Sequence, residues 1–141
     1  MFMGEYNHTL DEKGRLIIPS RFREELGNEF VVTKGLDGCL FAYANDEWQV
    51  LEDKLRALPL TNKDARAFAR FMLAGAAQVE IDKQGRILLP QVLRTFAGLD
   101  KDVVLLGIAS RIEIWNRDKW EAAALEADGE ELAEKMENLG I

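Results

Sequence analysis

The sequence predicts a mainly β fold of the α+β class, in which two copies of one unit form a single pseudo-two-fold β-barrel with short flanking helices. The first observation is an internal repeat that aligns DEKGRLIIPSRFR (11–23) with DKQGRILLPQVLR (82–94). The second is a series of short apolar runs separated by turn residues, which is typical of strands and hairpins. The third is size: a unit of about 45 residues with four short strands cannot bury its own apolar face, so both copies must fold together.

Each copy opens with a strand and a tight turn. Ala77, Val79 and Ile81 alternate with polar residues, which predicts a half-buried strand, and 6–10 is a less regular version of the same pattern. The Asp-x-x-Gly-Arg segment that follows predicts a hairpin turn. Its aspartate can accept a hydrogen bond from a backbone N–H, and its glycine can adopt the left-handed conformation. The turn residues that orient each hairpin are Asp11 and Gly14 in the first copy, and Asp82 and Gly85 in the second.

A returning strand, a short helix and a second hairpin complete each copy. The returning strands are expected at 16–18 and 87–89. Pro19 and Pro90 suit the first position of a short helix, which Gly27 or Gly98 ends. The second hairpin turns at 37–38 in the first copy and near residue 110 in the second.

Three further helices are predicted outside the repeated strands. Asn45 or Asp46 is expected to cap a helix that ends before Pro59. Thr61 and Asp64 have the spacing of a capping box, which predicts an amphipathic helix between the copies. Another helix is expected after residue 116, and beyond that helix the C-terminal apolar residues are too sparse to predict a stable structure. Trp48 and Trp120 are expected to be core anchors of the two copies.

Composition excludes several classes of protein. The 141 residues include one histidine and one cysteine, so neither a zinc or iron–sulfur cluster nor an internal disulfide can form, and no metal or cofactor is expected. No segment is apolar enough to cross a bilayer, so we expect a cytoplasmic protein without a membrane partner. No nucleophile, base or phosphate-loop motif is visible. We therefore expect that the protein is not an enzyme, with no catalytic residue and no small-molecule substrate.

The net charge of −7 does not exclude nucleic acid. From residue 121 onward there are seven acids and one base, so the remaining 120 residues carry only −1. A pseudo-two-fold axis relates the two arginine-bearing turns, and a DNA duplex also has local two-fold symmetry. This match makes double-stranded DNA the favoured partner. Arg15 and Arg86 either contact DNA or pin their hairpins by pairing with Asp11 and Asp82, and one arginine can do both. The candidate DNA-binding residues are Lys13, Arg15, Arg21, Arg23, Lys83, Arg86 and Arg94.

The chain resembles the MraZ family of bacterial transcription factors, which are built from two tandem SpoVT-AbrB modules. The resemblance rests on MFMGEYNHTLDEKGRLIIPSRFRE, GLDGCLFAY, KDARAFARFMLAGA and the two D-x-x-x-R signatures. It implies a swapped-hairpin AbrB barrel, a closed homo-oligomeric ring, a nucleoid location, and repression of the chain's own operon in a division and cell-wall gene cluster through promoter direct repeats. It also divides the chain into modules 1–56 and 76–121, a connecting helix 57–75 and an acidic segment 122–141.

A protein-interaction adaptor is the alternative function. In that case the arginines only hold the hairpins, and the acidic C-terminal segment recruits a basic partner. A titration of operator DNA at two salt concentrations distinguishes the two functions, because DNA contacts are salt-sensitive.

Overall fold

The computed structural model describes residues 1–141 as an α+β fold with eight strands and six α-helices. Each repeat contributes four strands and one short helix between its second and third strands. The strands are β1 (Phe2–Thr9), β2 (Arg15–Ile17), β3 (Glu29–Lys34), β4 (Leu40–Ala44), β5 (Ala77–Glu80), β6 (Arg86–Leu88), β7 (Asp102–Ala109) and β8 (Arg111–Asn116). The helices are α1 (Ser20–Leu26), α2 (Asn45–Arg56), α3 (Lys63–Ala74), α4 (Gln91–Ala97), α5 (Arg117–Glu126) and α6 (Gly129–Lys135), followed by a 3-10 turn at Glu137–Leu139.

The strands of the two copies are interleaved. Six of them form one antiparallel sheet in the order β1-β7-β8-β4-β3-β5, and β2 pairs with β6 in a separate two-stranded ribbon. Strand β1 of the first copy pairs with β7 of the second, and β5 of the second copy pairs with β3 of the first. The ribbon register is symmetric, because Leu16 lies opposite Ile87, its own equivalent in the repeat. The two copies therefore fold as one unit.

The predicted β-barrel is wrong in one respect, because the sheet does not close. Strands β1 and β5 are the two edges of the large sheet and do not pair with each other. The ribbon does not bridge the two edges, because its only pairing outside itself is the isolated bridge between Leu10, just after β1, and Leu16. Each ribbon strand has three residues, and Pro19 or Pro90, which lacks an N–H, follows two residues after the strand ends. The ladder is too short to continue into the edge strands.

The large sheet is buried on both faces. A cluster of 19 buried residues lies between one face, the ribbon, α1 and α4. Phe22 of α1 is at its centre, with edge-to-face contacts at 5.5 Å to Phe2 and 5.0 Å to Tyr6 of β1. Burying such a side chain stabilises the fold by about 1.5–3 kcal/mol. A second cluster of 7 residues, which includes the buried Cys39, lies between the opposite face and α2, α3 and α5.

Several element ends differ from the sequence predictions. Pro19 and Pro90 precede their helices instead of occupying the first position, and they serve as N-caps. Helix α2 begins at Asn45 without a side-chain cap, because the amide of Asn45 donates to the carbonyl of Glu29. Helix α3 is capped by Asn62, whose Oδ1 accepts from the N–H of Ala65 at 3.0 Å. These differences are of one residue or two, as is usual at helix ends.

The two repeated tryptophans and the acidic tail lie at the periphery. Trp48 and Trp120 are half-buried. The core-anchor prediction holds for Trp120, which packs against the second cluster beside the buried Trp115 at a ring distance of 5.5 Å. Trp48 lies farther out and contacts Tyr43 at a ring distance of 5.9 Å. Residues 121–141 form short helices that bury no side chain. The difference between the tryptophans was not predictable, because the repeat does not indicate which aromatic side chain faces the sheet. None of the helices has both the length and the apolar character that a bilayer crossing needs.

Candidate nucleic-acid interface

The first turn, residues 11–15, is organised by one carboxylate. Oδ1 of Asp11 accepts hydrogen bonds from the backbone N–H groups of Lys13 at 3.0 Å and Arg15 at 2.8 Å. Oδ2 accepts from Nε of Arg15 at 2.7 Å. Gly14 takes φ +85° and donates its N–H to the carbonyl of Asp11. Asp11 therefore holds both the backbone of the turn and the arginine side chain that leaves it.

The second turn, residues 82–86, repeats this arrangement. Oδ1 of Asp82 accepts from the N–H groups of Gln84 and Arg86, both at 2.9 Å, and Oδ2 accepts from Nε of Arg86 at 3.0 Å. Gly85 takes φ +80°. One contact has no counterpart in the first turn, because Nη2 of Arg86 also donates to Oε1 of Gln84 at 2.5 Å.

Both aspartates have a lowered pKa, so both are ionised at neutral pH. The pKa of Asp11 is lowered, chiefly by the backbone N–H of Arg15 and also by the side chain of Arg15 and the N–H of Lys13. The pKa of Asp82 is lowered in the same way, chiefly by the backbone N–H of Arg86. The carboxylate at Nε holds each guanidinium in one orientation. Both terminal nitrogens of Arg15 lack a partner within the chain, whereas Nη2 of Arg86 is bonded to Gln84.

The ribbon of β2 and β6 places both arginines on one face. Leu16 and Ile87 are buried beneath it, and because side chains alternate along a strand, Arg15 and Arg86 lie on the opposite, outward face. Their Cα atoms are roughly 8 Å apart, from the strand spacing and a two-residue offset. The two turns themselves lie at opposite ends of the ribbon, because the strands are antiparallel. The side chains of Arg15 and Arg86 are 33% and 25% exposed, so the two turns share one partly exposed surface.

Each turn is held by the other copy. The carbonyl of Gly85 accepts from the N–H of Ile18 at 2.9 Å, and the carbonyl of Gly14 accepts from the N–H of Leu89 at 2.9 Å. Both glycines are buried. A displacement of one turn would therefore break hydrogen bonds of both copies.

The other predicted residues divide into two groups. Lys13, Lys83 and Arg21 are exposed, the two lysines at the tips of the turns and Arg21 on α1. Arg23 and Arg94 are half-buried instead. Nε of Arg23 donates to the carbonyl of Ile18 at 2.8 Å, and Nε of Arg94 donates to the carbonyl of Leu89 at 3.0 Å. The structure thus brings Lys13, Arg15, Lys83 and Arg86 to the ribbon, and it gives Arg23 and Arg94 backbone partners.

Sequence reasoning missed two residues on the same surface. Ile17 is 37% exposed and Leu88 is 60% exposed, and both lie on the outward face between the arginines. The alternation in Arg15-Leu16-Ile17 was the available signal, since it places Ile17 on the same face as Arg15. Exposed aliphatic groups between two arginines suit contact with apolar parts of a partner, such as a thymine methyl group.

Comparison with known proteins identifies the family. The family model described as "MraZ protein, putative antitoxin-like" matches the chain twice, over residues 1–71 and 72–139. The chain belongs to the MraZ family. The "Transcriptional regulator MraZ" of Clostridium beijerinckii is 58% identical over 142 residues, and those of Acetivibrio thermocellus and Clostridium tetani are each 59% identical. All three alignments cover 100% of this chain and of the relative.

The two matches agree with the internal repeat. They begin at residues 1 and 72, which is the offset that superimposes Asp11 on Asp82 and Arg15 on Arg86. Every MraZ unit in this chain therefore carries one Asp–Arg turn. Because these relatives are named as regulators, the expectation that the chain is not an enzyme agrees with the family.

Proposed function

We propose that this MraZ chain is a sequence-specific transcriptional regulator that reads double-stranded DNA with the outward face of the β2–β6 ribbon. The observation that carries the proposal is the placement of Arg15 and Arg86 on that face, each fixed through Nε by its own aspartate. The names of the relatives, which are transcriptional regulators, support the same function.

The ribbon suits the major groove. That groove is about 12 Å wide and admits a two-stranded ribbon, and an arginine can donate two hydrogen bonds to one guanine. A guanidinium has five N–H donors. Arg15 gives one to Asp11, while Arg86 gives one to Asp82 and one to Gln84. Arg15 thus has four donors for DNA and Arg86 has three, so we expect the first copy to supply more of the affinity.

The neighbouring cations would position the ribbon without reading bases. Lys13, Lys83 and Arg21 are exposed next to it and suit phosphate contacts. Arg23 and Arg94 are also proposed to lie within reach of the backbone through their terminal nitrogens, although Nε is occupied in both. These contacts give affinity that falls with added salt.

The biological setting is proposed by analogy with the family. The chain would repress its own operon within a division and cell-wall gene cluster, bind direct repeats in that promoter, and associate with the nucleoid. Its SpoVT-AbrB modules would span 1–56 and 76–121, with 57–75 connecting them and 122–141 forming an acidic end. The pairing of β2 with β6 across the copies supports the proposed exchange of hairpins.

A closed ring of identical subunits would make this binding strong. One subunit offers few cationic contacts, because residues 1–120 are nearly neutral. Several subunits on repeats spaced by about 10 base pairs would meet the same face of the duplex, and the second contact would form at high effective concentration. Affinity should then depend on the number and spacing of repeats.

A footprint on the DNA upstream of the chain's own gene tests the proposal. We expect protection of regularly spaced repeats, and we expect duplexes with several repeats to bind far more tightly than a duplex with one. Binding that is equal for one repeat and for an array contradicts the ring mechanism. An absence of any protected sequence, at low and at moderate salt, contradicts DNA recognition itself and favours the adaptor.

A further inference from the structure

A small cleft beside the ribbon carries three basic side chains of the first copy. It lies between β1 and the start of α1, and its polar lining consists of Tyr6, His8, Ser20, Arg21 and Arg23. Ile17, which belongs to the outward face of the ribbon, forms its border on that side. No carboxylate lines the cleft, and neither Arg21 nor His8 forms an ion pair within the chain. Its chemistry therefore suits an anion.

The second copy lacks this cleft. At the repeat offset, His8 corresponds to Val79, Ser20 to Gln91, and Arg21 to Val92. Val79 is 5% exposed and belongs to the apolar core, whereas His8 is only half-buried. These polar side chains are thus not required by the fold, because the equivalent strand and helix form without them. Only the first copy therefore presents this set of basic and hydroxyl side chains.

We propose that the cleft binds one backbone phosphate of the duplex that lies on the ribbon, with His8 and Ser20 joining Arg21 and Arg23 as its contacts. This inference rests on the proposed function. The imidazole and the Ser20 hydroxyl can each donate one hydrogen bond to a phosphate oxygen, and the arginines neutralise its charge. The site fixes the register of the first copy on DNA and carries no sequence information.

Binding at this site would be linked to protonation of His8. In the free protein the pKa of His8 is lowered, first by burial and then by the charge of Arg23. The only other cation lining the cleft is Arg21. A phosphate between these groups would favour the imidazolium and raise its pKa. The complex would then hold more protons than the free protein, so affinity would increase as pH falls through the pKa of His8 in the complex.

The experiment is an NMR titration of the imidazole, which needs no assignment because His8 is the only histidine. The full-length protein, labelled at histidine Cε1, is titrated with acid alone and in complex with a footprinted promoter duplex. We expect a higher pKa of His8 in the complex. If the DNA is bound and the pKa of His8 is the same in both states, the proposed phosphate site is wrong, but the proposed regulatory function still stands. Failure of the duplex to bind at all is a failure of the proposed function instead.

Two variants separate the cleft from general effects of pH. Between pH 7.5 and 5.5 the affinity of the unmodified protein should rise roughly three- to tenfold, and His8→Gln should lose this rise. Asn7→Gln changes the neighbouring exposed residue of β1 and should keep it. An equal rise in His8→Gln contradicts the proposal. Inorganic phosphate, at the same concentration as the phosphates of the duplex, should leave the pKa of His8 unchanged. If it raises this pKa as much as DNA does, the cleft binds a free anion instead of a DNA phosphate.

Discussion

The guanidinium of Arg23 lies against Gly85, a turn residue of the other copy. A Cβ added to Gly85 would overlap the terminal atoms of Arg23, and a Cβ added to Gly14 would meet Arg94 at 2.7 Å. The relationship is reciprocal, since each copy's helix covers the other copy's turn. The Asp-x-x-Gly-Arg glycines therefore have two roles: they allow a left-handed turn, and they leave room for an arginine.

Gly85→Ala should destabilise the protein more than the same change at Gly38. Both glycines have positive φ, +80° and +78°, so both substitutions incur a backbone cost of about 1–2 kcal/mol. The two positions differ in the space available: a Cβ on Gly85 would overlap Arg23, whereas a Cβ on Gly38 would meet nothing within 4 Å. Displacing Arg23 would also break its bond to Ile18, which adds about 1 kcal/mol. Denaturant unfolding of both variants measures the difference.

The Arg23→Ala background provides the control for this comparison. Without the guanidinium, Gly85→Ala and Gly38→Ala should cost nearly the same free energy of unfolding. A difference that persists in this background would show that Arg23 does not explain it.

Asp11→Asn should weaken DNA binding without unfolding the protein. The amide oxygen can still accept from the backbone N–H groups of Lys13 and Arg15, but an NH₂ group would face Nε of Arg15 and could not accept its hydrogen bond. Arg15 would lose its fixed orientation, and we expect about a tenfold loss of operator affinity, the lower range for one specific base contact. Fluorescence anisotropy with labelled promoter DNA measures it. Unchanged affinity would show that Asp11 orients the backbone alone.

Glu80→Gln should stabilise the protein at neutral pH. Glu29 and Glu80 are directly opposite across β3 and β5, and the pKa of Glu29 is raised by the hydrogen bond with Glu80 and by its charge. A carboxyl whose pKa is raised by folding costs stability above that pKa, and the cost disappears as pH falls through it. Thermal unfolding should show a higher Tm for Glu80→Gln at pH 7 and little difference near pH 4. Glu5→Gln, on the other edge strand and opposite Leu106, should show neither effect.

Removal of residues 126–141 should raise affinity for random DNA more than for operator DNA. This segment buries no side chain, so its loss should leave the Tm nearly unchanged. Its acids repel any duplex that they approach. We expect the operator complex, which has one fixed orientation, to hold them away from the DNA, whereas non-specific complexes in other orientations bring them close. Gel-shift titrations at low salt measure the ratio. A full-length variant with Glu130, Glu131, Glu134 and Glu137 changed to Gln should behave like the truncation, and equal effects on both DNAs contradict the idea.

The repeat made most of the fold predictable. Asp, Gly, Arg and Pro recur at fixed spacing, and each has a local effect. The aspartate bonds to the turn, the glycine takes a positive φ, the arginine pairs with the aspartate, and the proline follows the end of a strand. The paired turns and short helices followed directly. The open sheet did not, because strand alternation fixes which face is buried but not which strands are neighbours.

The site was only partly predictable for the same reason. The Asp11–Arg15 pair is local, so spacing indicates it. The contact of Arg23 with Gly85 joins two copies, and the position of Leu88 opposite Arg15 depends on the pairing of β2 with β6. Such relations arise from tertiary packing. The position of His8 in the cleft was not predictable either, because a single histidine in a strand indicates no function until the helix that faces it is known.

The affinity of operator DNA for Arg15→Ala, measured beside Arg117→Ala, tests the central claim most directly. Each substitution removes one positive charge and one surface ion pair at i,i+4 spacing, Arg15 with Asp11 and Arg117 with Glu121. Surface pairs contribute at most about 1 kcal/mol, so both variants should melt close to the unmodified protein. Arg15→Ala should lose tenfold or more in affinity, a typical loss for one arginine–guanine contact, while Arg117→Ala should lose little. Equal affinities in the two variants would contradict recognition of DNA by the ribbon.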